Sequence, residues 1–169
     1  MKILVLSDSH SALRLMYACM DAVKPDAVVH LGDYYDDGQA LAEENRHLVF
    51  HQVPGNCDRY RCRLNTPLIL DDTVCGVRLY MTHGHLHRVK TGIGALLADA
   101  RKSRAQAVLY GHTHRADCYQ EPDGLWVLNP GSCGSFGGTV GMIETDGHKI
   151  TACYLIEQAD LEEKYDFNH

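Results

Sequence analysis

The sequence predicts an α/β fold in which a parallel sheet is packed against a second sheet. Two observations lead to this prediction. In the first half, short apolar runs alternate with helical segments, which is the pattern of parallel strands joined by crossover helices. The second half is richer in short strands broken by turns, and its pairs Asp123-Gly124 and Asp146-Gly147 are typical of hairpins.

The first half contains three predicted strands and two predicted helices. The strands are the aliphatic runs Ile3–Leu6, Ala27–His30 and Leu48–Val53. Ser11 is expected to cap a helix that runs to about Val23. A shorter helix is expected from Gln39 to Asn45.

The second half is predicted to add six strands and one helix. The helix covers Gly94–Ser103, and the strands are Val77–Met81, Ala107–Tyr110, Asp117–Gln120, Leu125–Leu128, Val140–Glu144 and Lys149–Ile156. A chain of 169 residues is expected to form one domain, with residues 1–156 as its core. The polar tail, residues 157–169, is expected to be frayed or helical.

Composition narrows the possible partners and the compartment. The net charge of −6 argues against stable nucleic-acid binding, which relies on Lys and Arg. No run approaches the ~20 apolar residues of a membrane span, and the apolar run at the start is too short for a signal peptide. The seven cysteines are odd in number and form no CxxC, so we expect reduced thiols in a cytoplasmic protein.

Five of the predicted strands end in a cluster of polar residues. The clusters are Asp8-Ser9-His10, Gly32-Asp33, Gly55-Asn56, His83-Gly84-His85 and Gly111-His112-Thr113-His114. In α/β sheets, sites form beyond the carboxyl ends of the strands. The five clusters are therefore expected to converge on one site.

The residue types in these clusters indicate divalent metal binding. Carboxylate, carboxamide and imidazole groups suit Mn, Fe, Zn or Co. Seven candidate ligands exceed the need of one ion, and they suit two ions that share a carboxylate. The glycines before Asp33, Asn56 and His112 allow tight turns and close backbone approach.

The order D-x-H, G-D, G-N, H-G-H and G-H-T-H resembles the calcineurin-like metallophosphoesterase superfamily. The form Gly55-Asn56-Cys57-Asp58 and the later Asn129-Pro130-Gly131-Ser132 are similar to its small YfcE-type phosphodiesterase branch. The resemblance covers residues 1–156. It implies a four-layer α-β-β-α sandwich of two mixed sheets flanked by helices.

The resemblance also implies a ligand set and catalytic roles. One metal would be held by Asp8, His10, Asp33 and His114, and a second by Asp33, Asn56, His83 and His112. Mn is the favoured metal, with Fe, Zn, Ni and Co as alternatives. The catalytic residues would be Asp33, which bridges the two metals, and His10 and His85, either of which could hydrogen-bond the phosphate.

The sequence departs from many superfamily members directly after Asn56. Where those members have a His that can protonate the leaving group, this chain has Cys57, and a neutral thiol is a poor acid near pH 7. His85 and Asp58 are the alternative candidates for the general acid.

The predicted function is hydrolysis of a small phosphodiester by a hydroxide that two metals activate. The alternatives are a phosphomonoesterase acting on a nucleotide or protein phosphate, and a non-catalytic interaction scaffold like the retromer subunit. The expected partner is a small phosphorylated substrate. The sequence leaves open whether the chain forms a homo-oligomer.

Overall fold

The fold is described from a computed structural model that covers residues 1–134 and 137–164, with side chains of residues 1–134 and 137–161. The strands in these ranges are β1 (Lys2–Leu6), β2 (Ala27–His30), β3 (Val49–Gln52), β4 (Ile69–Val74), β5 (Val77–Thr82), β6 (Ala107–Leu109), β7 (Asp117–Gln120), β8 (Trp126–Asn129), β9 (Thr139–Thr145) and β10 (Ile150–Glu157). The helices are α1 (Leu13–Val23), α2 (Tyr35–Glu44), α3 (Gly94–Lys102) and α4 (Gln158–Lys164). A single 3-10 turn covers Asn56–Asp58.

The strands form two mixed sheets of five. The first has the order β10-β9-β1-β2-β3, and the second has the order β4-β5-β6-β8-β7. In the first sheet β1, β2 and β3 run parallel. In the second sheet β5, β6 and β8 run parallel. Carboxyl ends of neighbouring parallel strands therefore meet at one edge of each sheet.

The sheets face each other and carry helices on their outer sides, which confirms the predicted four-layer α/β sandwich. Alternation along β1 shows this, because Ile3 and Val5 pack in the cluster between the sheets. Leu4 and Leu6 pack on the other face, against α1 and α4. On the second sheet, α3 covers the outer face through Leu96 and its neighbours. Because successive side chains of a strand point to opposite faces of the sheet, β1 contributes both to the core between the sheets and to the core under the helices.

Two helix starts differ from the prediction, and both differences have tertiary causes. The N-cap of α1 is Ala12 rather than Ser11, without any side-chain cap. The Ser11 N–H donates instead to Asp37 Oδ2 at 2.8 Å. Helix α2 begins at Tyr35, four residues before the predicted start. Its first N–H groups are held by the carboxylate of Asp58, which local sequence does not reveal.

Strand β4 was missed in the sequence. It carries the exposed Asp71 and Asp72, so it reads as a polar loop. It nevertheless pairs with β5 through a two-residue turn at Cys75 and Gly76, both with positive φ. Its position at the sheet edge allows one side to face water.

The described part of the predicted tail is helical. Residues 158–164 form α4, and residues 165–169 lie outside the described residues. None of the helices in the described ranges combines the length and the apolar character needed to cross a lipid bilayer. All seven cysteines are free thiols, with the sulfurs of Cys118 and Cys153 3.3 Å apart.

Candidate metal centre

The seven candidate ligands follow five parallel strands and lie at one end of the sandwich. Asp8 and His10 follow β1, Asp33 follows β2, and Asn56 follows β3 in the first sheet. The remaining ligands come from the second sheet: His83 follows β5, and His112 and His114 follow β6. Contacts between the clusters show the convergence directly: the His112 N–H donates to Asp8 Oδ2 at 3.1 Å.

The first group of candidate ligands forms a tight cluster. Asp8, His10, Asp33 and His114 each offer one ligand atom, and these four atoms lie within 4.8 Å of one another. Two carboxylates and two imidazoles at this spacing match the ligand chemistry of Mn, Fe, Co or Zn. This is the same set that the sequence assigned to one metal.

Asp8 shows how well the cluster fits a cation. Its Oδ2 accepts hydrogen bonds from the Ser7 hydroxyl at 2.6 Å and from the His112 N–H. Its Oδ1 is buried and accepts no hydrogen bond from the described residues. His114 Nε2 lies 3.0 Å from that oxygen, in an orientation that makes no hydrogen bond. A buried carboxylate oxygen without a partner is costly, so a cation at this point would satisfy it.

His83 gives the same indication for the second group. The ring is buried, and its Nδ1 lies 2.8 Å from the Leu31 carbonyl, to which it can donate. The Nε2 atom lies 3.2 Å from the Asn56 Oδ1 and 3.6 Å from the Asp33 Oδ1. Three lone pairs facing one another repel unless a proton or a metal lies between them. Donation of the other ring nitrogen to a carbonyl is the usual arrangement of a metal-bound His.

Asp33 lies between the two groups. Its Oδ1 accepts the Cys57 N–H at 2.9 Å and faces His83. Burial opposes its ionisation, but the neighbouring His83 and the Cys57 hydrogen bonds outweigh burial and lower the pKa of Asp33. The side chain is therefore an anion at neutral pH, as a bridging ligand must be.

His112 and His85 complete the second side of the centre. The rings of His83 and His112 are 5.0 Å apart, and His85 lies 5.4 Å from the first and 6.2 Å from the second. Burial, together with the nearby His83 and Lys90, lowers the pKa of His112 to about 4. Burial and His83 also lower the pKa of His85. Both rings are thus neutral near pH 7, the form in which imidazole binds a metal or donates one N–H.

Backbone strain is concentrated at the centre. Five candidate ligands have positive φ without being glycine: Asp8, His10, Asp33, His112 and His114. Such conformations cost about 1–3 kcal/mol each and persist only where surrounding structure enforces them. Two glycines permit the close packing, as the sequence predicted. A Cβ at Gly55 would overlap the Asp33 carboxylate, and a Cβ at Gly111 would overlap the Ser7 hydroxyl.

Asp58 organises the loops that carry Asp33 and Asn56. It is fully buried, and its Oδ1 accepts the N–H groups of Tyr34 at 2.8 Å and Tyr35 at 2.9 Å. Its Oδ2 accepts the Gly55 N–H at 2.7 Å. Both oxygens are occupied by backbone donors, which favours a structural role for Asp58 over that of a general acid.

A buried polar chain behind the centre was missed in the sequence. The Gly32 N–H donates to His30 Nδ1, so Nε2 carries the proton and lies 3.3 Å from the Ser9 hydroxyl. Ser9 donates in turn to Asp37 Oδ2 at 2.7 Å. Asp37 is a buried residue of α2. The sequence signal that could have revealed this role of His30 is its position, because it is the last residue of β2 and directly precedes Leu31-Gly32-Asp33.

The turn Asn129-Pro130-Gly131-Ser132 lies against the centre, as the sequence suggested. The Ser132 hydroxyl donates to the Asp8 carbonyl at 2.8 Å. The Asn129 amide donates to the Thr113 hydroxyl at 2.9 Å. These bonds fix the main chain that carries three of the candidate ligands.

The mouth of the centre carries an aromatic ring and a cation. Tyr34 meets His10 edge-on at 5.1 Å, and the Arg61 guanidinium lies 4.2 Å from the Tyr34 ring centre. Arg61 also pairs with Asp36 at 3.0 Å. Arg61 is therefore partly neutralised.

The buried His30 predicts a pH dependence of stability. Burial lowers the pKa of His30 to about 4, below the ordinary value of about 6.5. The folded state favours the neutral ring, so its contribution is complete above pH 6.5 and is lost as the pH falls towards 4. Chemical unfolding of the metal-free protein should show a loss on the order of 3 kcal/mol over that range.

Two variants isolate this effect. His30→Asn should flatten the pH dependence, while His148→Asn, at an exposed position, should leave it unchanged. Identical curves for His30→Asn and the native protein would contradict the assignment.

Comparison with known proteins agrees with this geometry. Residues 1–148 match the calcineurin-like phosphoesterase superfamily domain. A protein named "Probable metallophosphoesterase" from Mycoplasma pneumoniae is 29% identical over 134 residues, 78% of each chain. A predicted phosphoesterase from Streptococcus pneumoniae is 26% identical, with a TM-score of 0.69 over 93% of this chain and 97% of that one. Vps29 from Chaetomium thermophilum, 22% identical, has a TM-score of 0.73 over 92% of this chain and 86% of its own. The chain belongs to the calcineurin-like phosphoesterase superfamily.

Proposed function

We propose that the chain is a dinuclear metal-dependent enzyme that hydrolyses a small phosphodiester. The observation that carries the proposal is the cluster of four donor atoms within 4.8 Å, with the Asn56, His83 and His112 side chains beside it. The buried, unpartnered Asp8 oxygen indicates that this cluster is built for a cation rather than for internal pairing.

The first metal would be held by Asp8, His10, Asp33 and His114. The second would be held by Asp33, Asn56, His83 and His112. Two cations bound there would act as Lewis acids on the phosphoryl oxygens and would lower the pKa of a bound water.

The chain itself would supply orientation and hydrogen bonds. Asp33 stays ionised and keeps the two halves of the centre together through its Cys57 hydrogen bond. His85 is neutral near pH 7 because burial lowers its pKa, so it can donate one N–H to a phosphoryl oxygen. We propose the same substrate contact for His10, which lies beside Tyr34 at the mouth.

His85 is also the proposed proton donor to the leaving group. Asp58 is occupied by backbone N–H groups. The Cys57 thiol is a weaker acid than usual, because burial and the Asp33 carboxylate raise its pKa. Because His85 is neutral near pH 7, it must take up a proton before it can protonate the leaving group.

Cys57→Ser should leave hydrolysis within about threefold of the native rate. The residue contributes its main-chain N–H to Asp33, and serine retains that group. The measurement is kcat/KM on an aryl phosphodiester, with metal content in parallel. A loss of a hundredfold or more would show that the thiol takes part in proton transfer, since general acids contribute about 10²–10⁴-fold.

The diester proposal rests on a cavity bordered by Lys90, Thr113 and Arg115, which adjoins the segment that carries His112 and His114. A diester has two ester groups to accommodate, whereas a monoester has one. The phosphomonoesterase and the scaffold of the retromer-subunit type are the competing functions.

One assay separates the three functions. Purified protein with added Mn is given bis(p-nitrophenyl) phosphate and p-nitrophenyl phosphate, and kcat/KM is compared. We expect a clear preference for the diester that disappears with a chelator. Preference for the monoester would support the monoesterase, and absence of turnover on both would support the scaffold.

Three finer points belong to the same proposal. Mn is the proposed metal because the centre mixes carboxylate, carboxamide and imidazole ligands, and elemental analysis of purified protein tests it. The cytoplasmic location and a homo-oligomer stay predictions.

A further inference from the structure

A cavity lies beside the segment that carries His112 and His114. Its volume is about 500 Å³. One wall is the segment after His83 and His85, which contributes Val89 and Lys90. The opposite wall is the segment that carries His112 and His114, which contributes Thr113 and Arg115. The cavity is thus enclosed by the two loops that carry the second-sheet histidines of the centre.

The cavity is positively charged in an acidic protein. Lys90 and Arg115 line it together with one carboxylate, that of Asp117. Among the described residues, neither Lys90 nor Arg115 has an ion-pair partner. Some surface cations are paired, such as Arg78 with Asp71 and Lys102 with Asp99. Two cations against one carboxylate leave a net positive cavity that an anion can enter.

The wall that carries Arg115 is held in place by its own hydrogen bonds. The Thr113 hydroxyl accepts the Arg115 N–H at 3.2 Å and the Asn129 amide at 2.9 Å. On the other wall, the Val89 side chain packs against Gly84, and the Gly84 carbonyl accepts the His87 N–H at 3.1 Å. Fixed walls reduce the ordering that ligand binding would require.

We propose that this cavity binds a second anionic group of the substrate, a phosphate or a carboxylate on the ester group that lies beyond the reacting phosphorus. Arg115 can bind such a group through two parallel N–H donors, and the positive charge of Lys90 can attract it further. The inference rests on the proposed function, because the first phosphoryl group must lie at the metal centre. It narrows the substrate to diesters that carry an additional negative charge.

Binding of non-hydrolysable phosphonates tests the inference without turnover. The Mn-loaded full chain is titrated calorimetrically with phenylphosphonate, 4-phosphonobenzoate and 1,4-phenylenediphosphonate. The last two add a carboxylate or a second phosphonate to the same ring. We expect at least one of them to bind roughly tenfold more tightly than phenylphosphonate, which is the usual effect of one hydrogen bond to a charged group.

Matched double variants assign the preference to the cavity. Lys90→Gln with Arg115→Gln should bind all three phosphonates alike. Arg46→Gln with Lys149→Gln removes the same charge from exposed positions that precede β3 and β10, at the opposite end of the sandwich, and should retain the preference. The Arg46/Lys149 variant should hydrolyse bis(p-nitrophenyl) phosphate at the native rate, and the Lys90/Arg115 variant should retain the native Mn content by elemental analysis, which shows that its metal centre is intact.

The outcomes are distinct for the two proposals. Equal affinity of the native protein for the three phosphonates, or an unchanged preference in the Lys90/Arg115 variant, overturns the inference even if the diester is hydrolysed. A preference that depends on Lys90 and Arg115 supports it even if no diester is hydrolysed, in which case the proposed activity fails alone. Tighter binding of the diphosphonate indicates that the second anionic group of the substrate is a phosphate, and tighter binding of the phosphonobenzoate indicates that it is a carboxylate.

Discussion

Asp33→Ala is expected to remove bound metal and hydrolysis together. The Asp33 carboxylate contacts both groups of candidate ligands, through the cluster with Asp8 and through His83. Without it, each group loses an anionic ligand, and repulsion between cations at the centre is no longer offset. We expect kcat/KM on bis(p-nitrophenyl) phosphate to fall by roughly a thousandfold, at the upper end of what a single transition-state donor contributes.

The measurement combines elemental analysis with the rate, and Asp36→Ala is the matched control. Asp36 is three residues away and pairs with Arg61 at the surface. The control should retain metal and turnover, while Asp33→Ala should lose both. Native metal content and native turnover in Asp33→Ala would exclude the proposed centre.

Asp58→Ala is expected to have the largest effect on stability. The change leaves three main-chain N–H groups without their acceptor, those of Tyr34, Tyr35 and Gly55. Each unsatisfied buried donor costs about 1–3 kcal/mol, so the free energy of unfolding should fall by about 3 kcal/mol or more. For a protein of this size, that corresponds to a decrease in Tm of about 6–12 °C.

Thermal unfolding of the metal-free protein measures this effect. Asp21→Ala, at an exposed position of α1, removes the same side chain and should change stability by less than about 0.5 kcal/mol. Asp58→Ala should also bind Mn more weakly, because the loops of Asp33 and Asn56 lose their common anchor. An unchanged Tm would mean that water or neighbouring groups replace the carboxylate.

The fold was largely predictable because most elements have strong local signals. Strand β2 has the predicted bounds, and β1 differs by one residue. The predictions were wrong for elements whose presence or bounds depend on contacts with distant residues. Helix α2 starts early because of Asp58, and β4 exists because β5 offers it a pairing edge. The prediction that residues 1–169 form one domain stays a prediction.

The candidate ligands were predictable from spacing, whereas their supports were not. Polar residues directly after apolar strands indicate a site at the strand ends, and all seven ligands share that signal. The supporting groups, Asp58, His30 and Asp37, have no such pattern. Each acts on backbone or hydroxyl groups that are 21–28 residues away in the chain, as the Asp58–Tyr34, Asp37–Ser9 and His30–Ser9 contacts show.

The cavity at Lys90 and Arg115 was invisible in the sequence for a similar reason. The two residues are separated by a helix and a strand, and neither belongs to a motif. They face one space only because β5 and β6 are neighbours in the second sheet.

By itself, the sequence determined which side chains can bind a metal and that they follow strands, because residue type and hydrophobic period are local properties. The tertiary structure decided how those side chains are held and what surrounds them. It brought Nε2 of His83 towards two oxygens and left one Asp8 oxygen without a hydrogen-bond donor among the described residues. These features arise from contacts between distant segments, since strand order and sheet packing, not neighbouring residues, fix which groups meet.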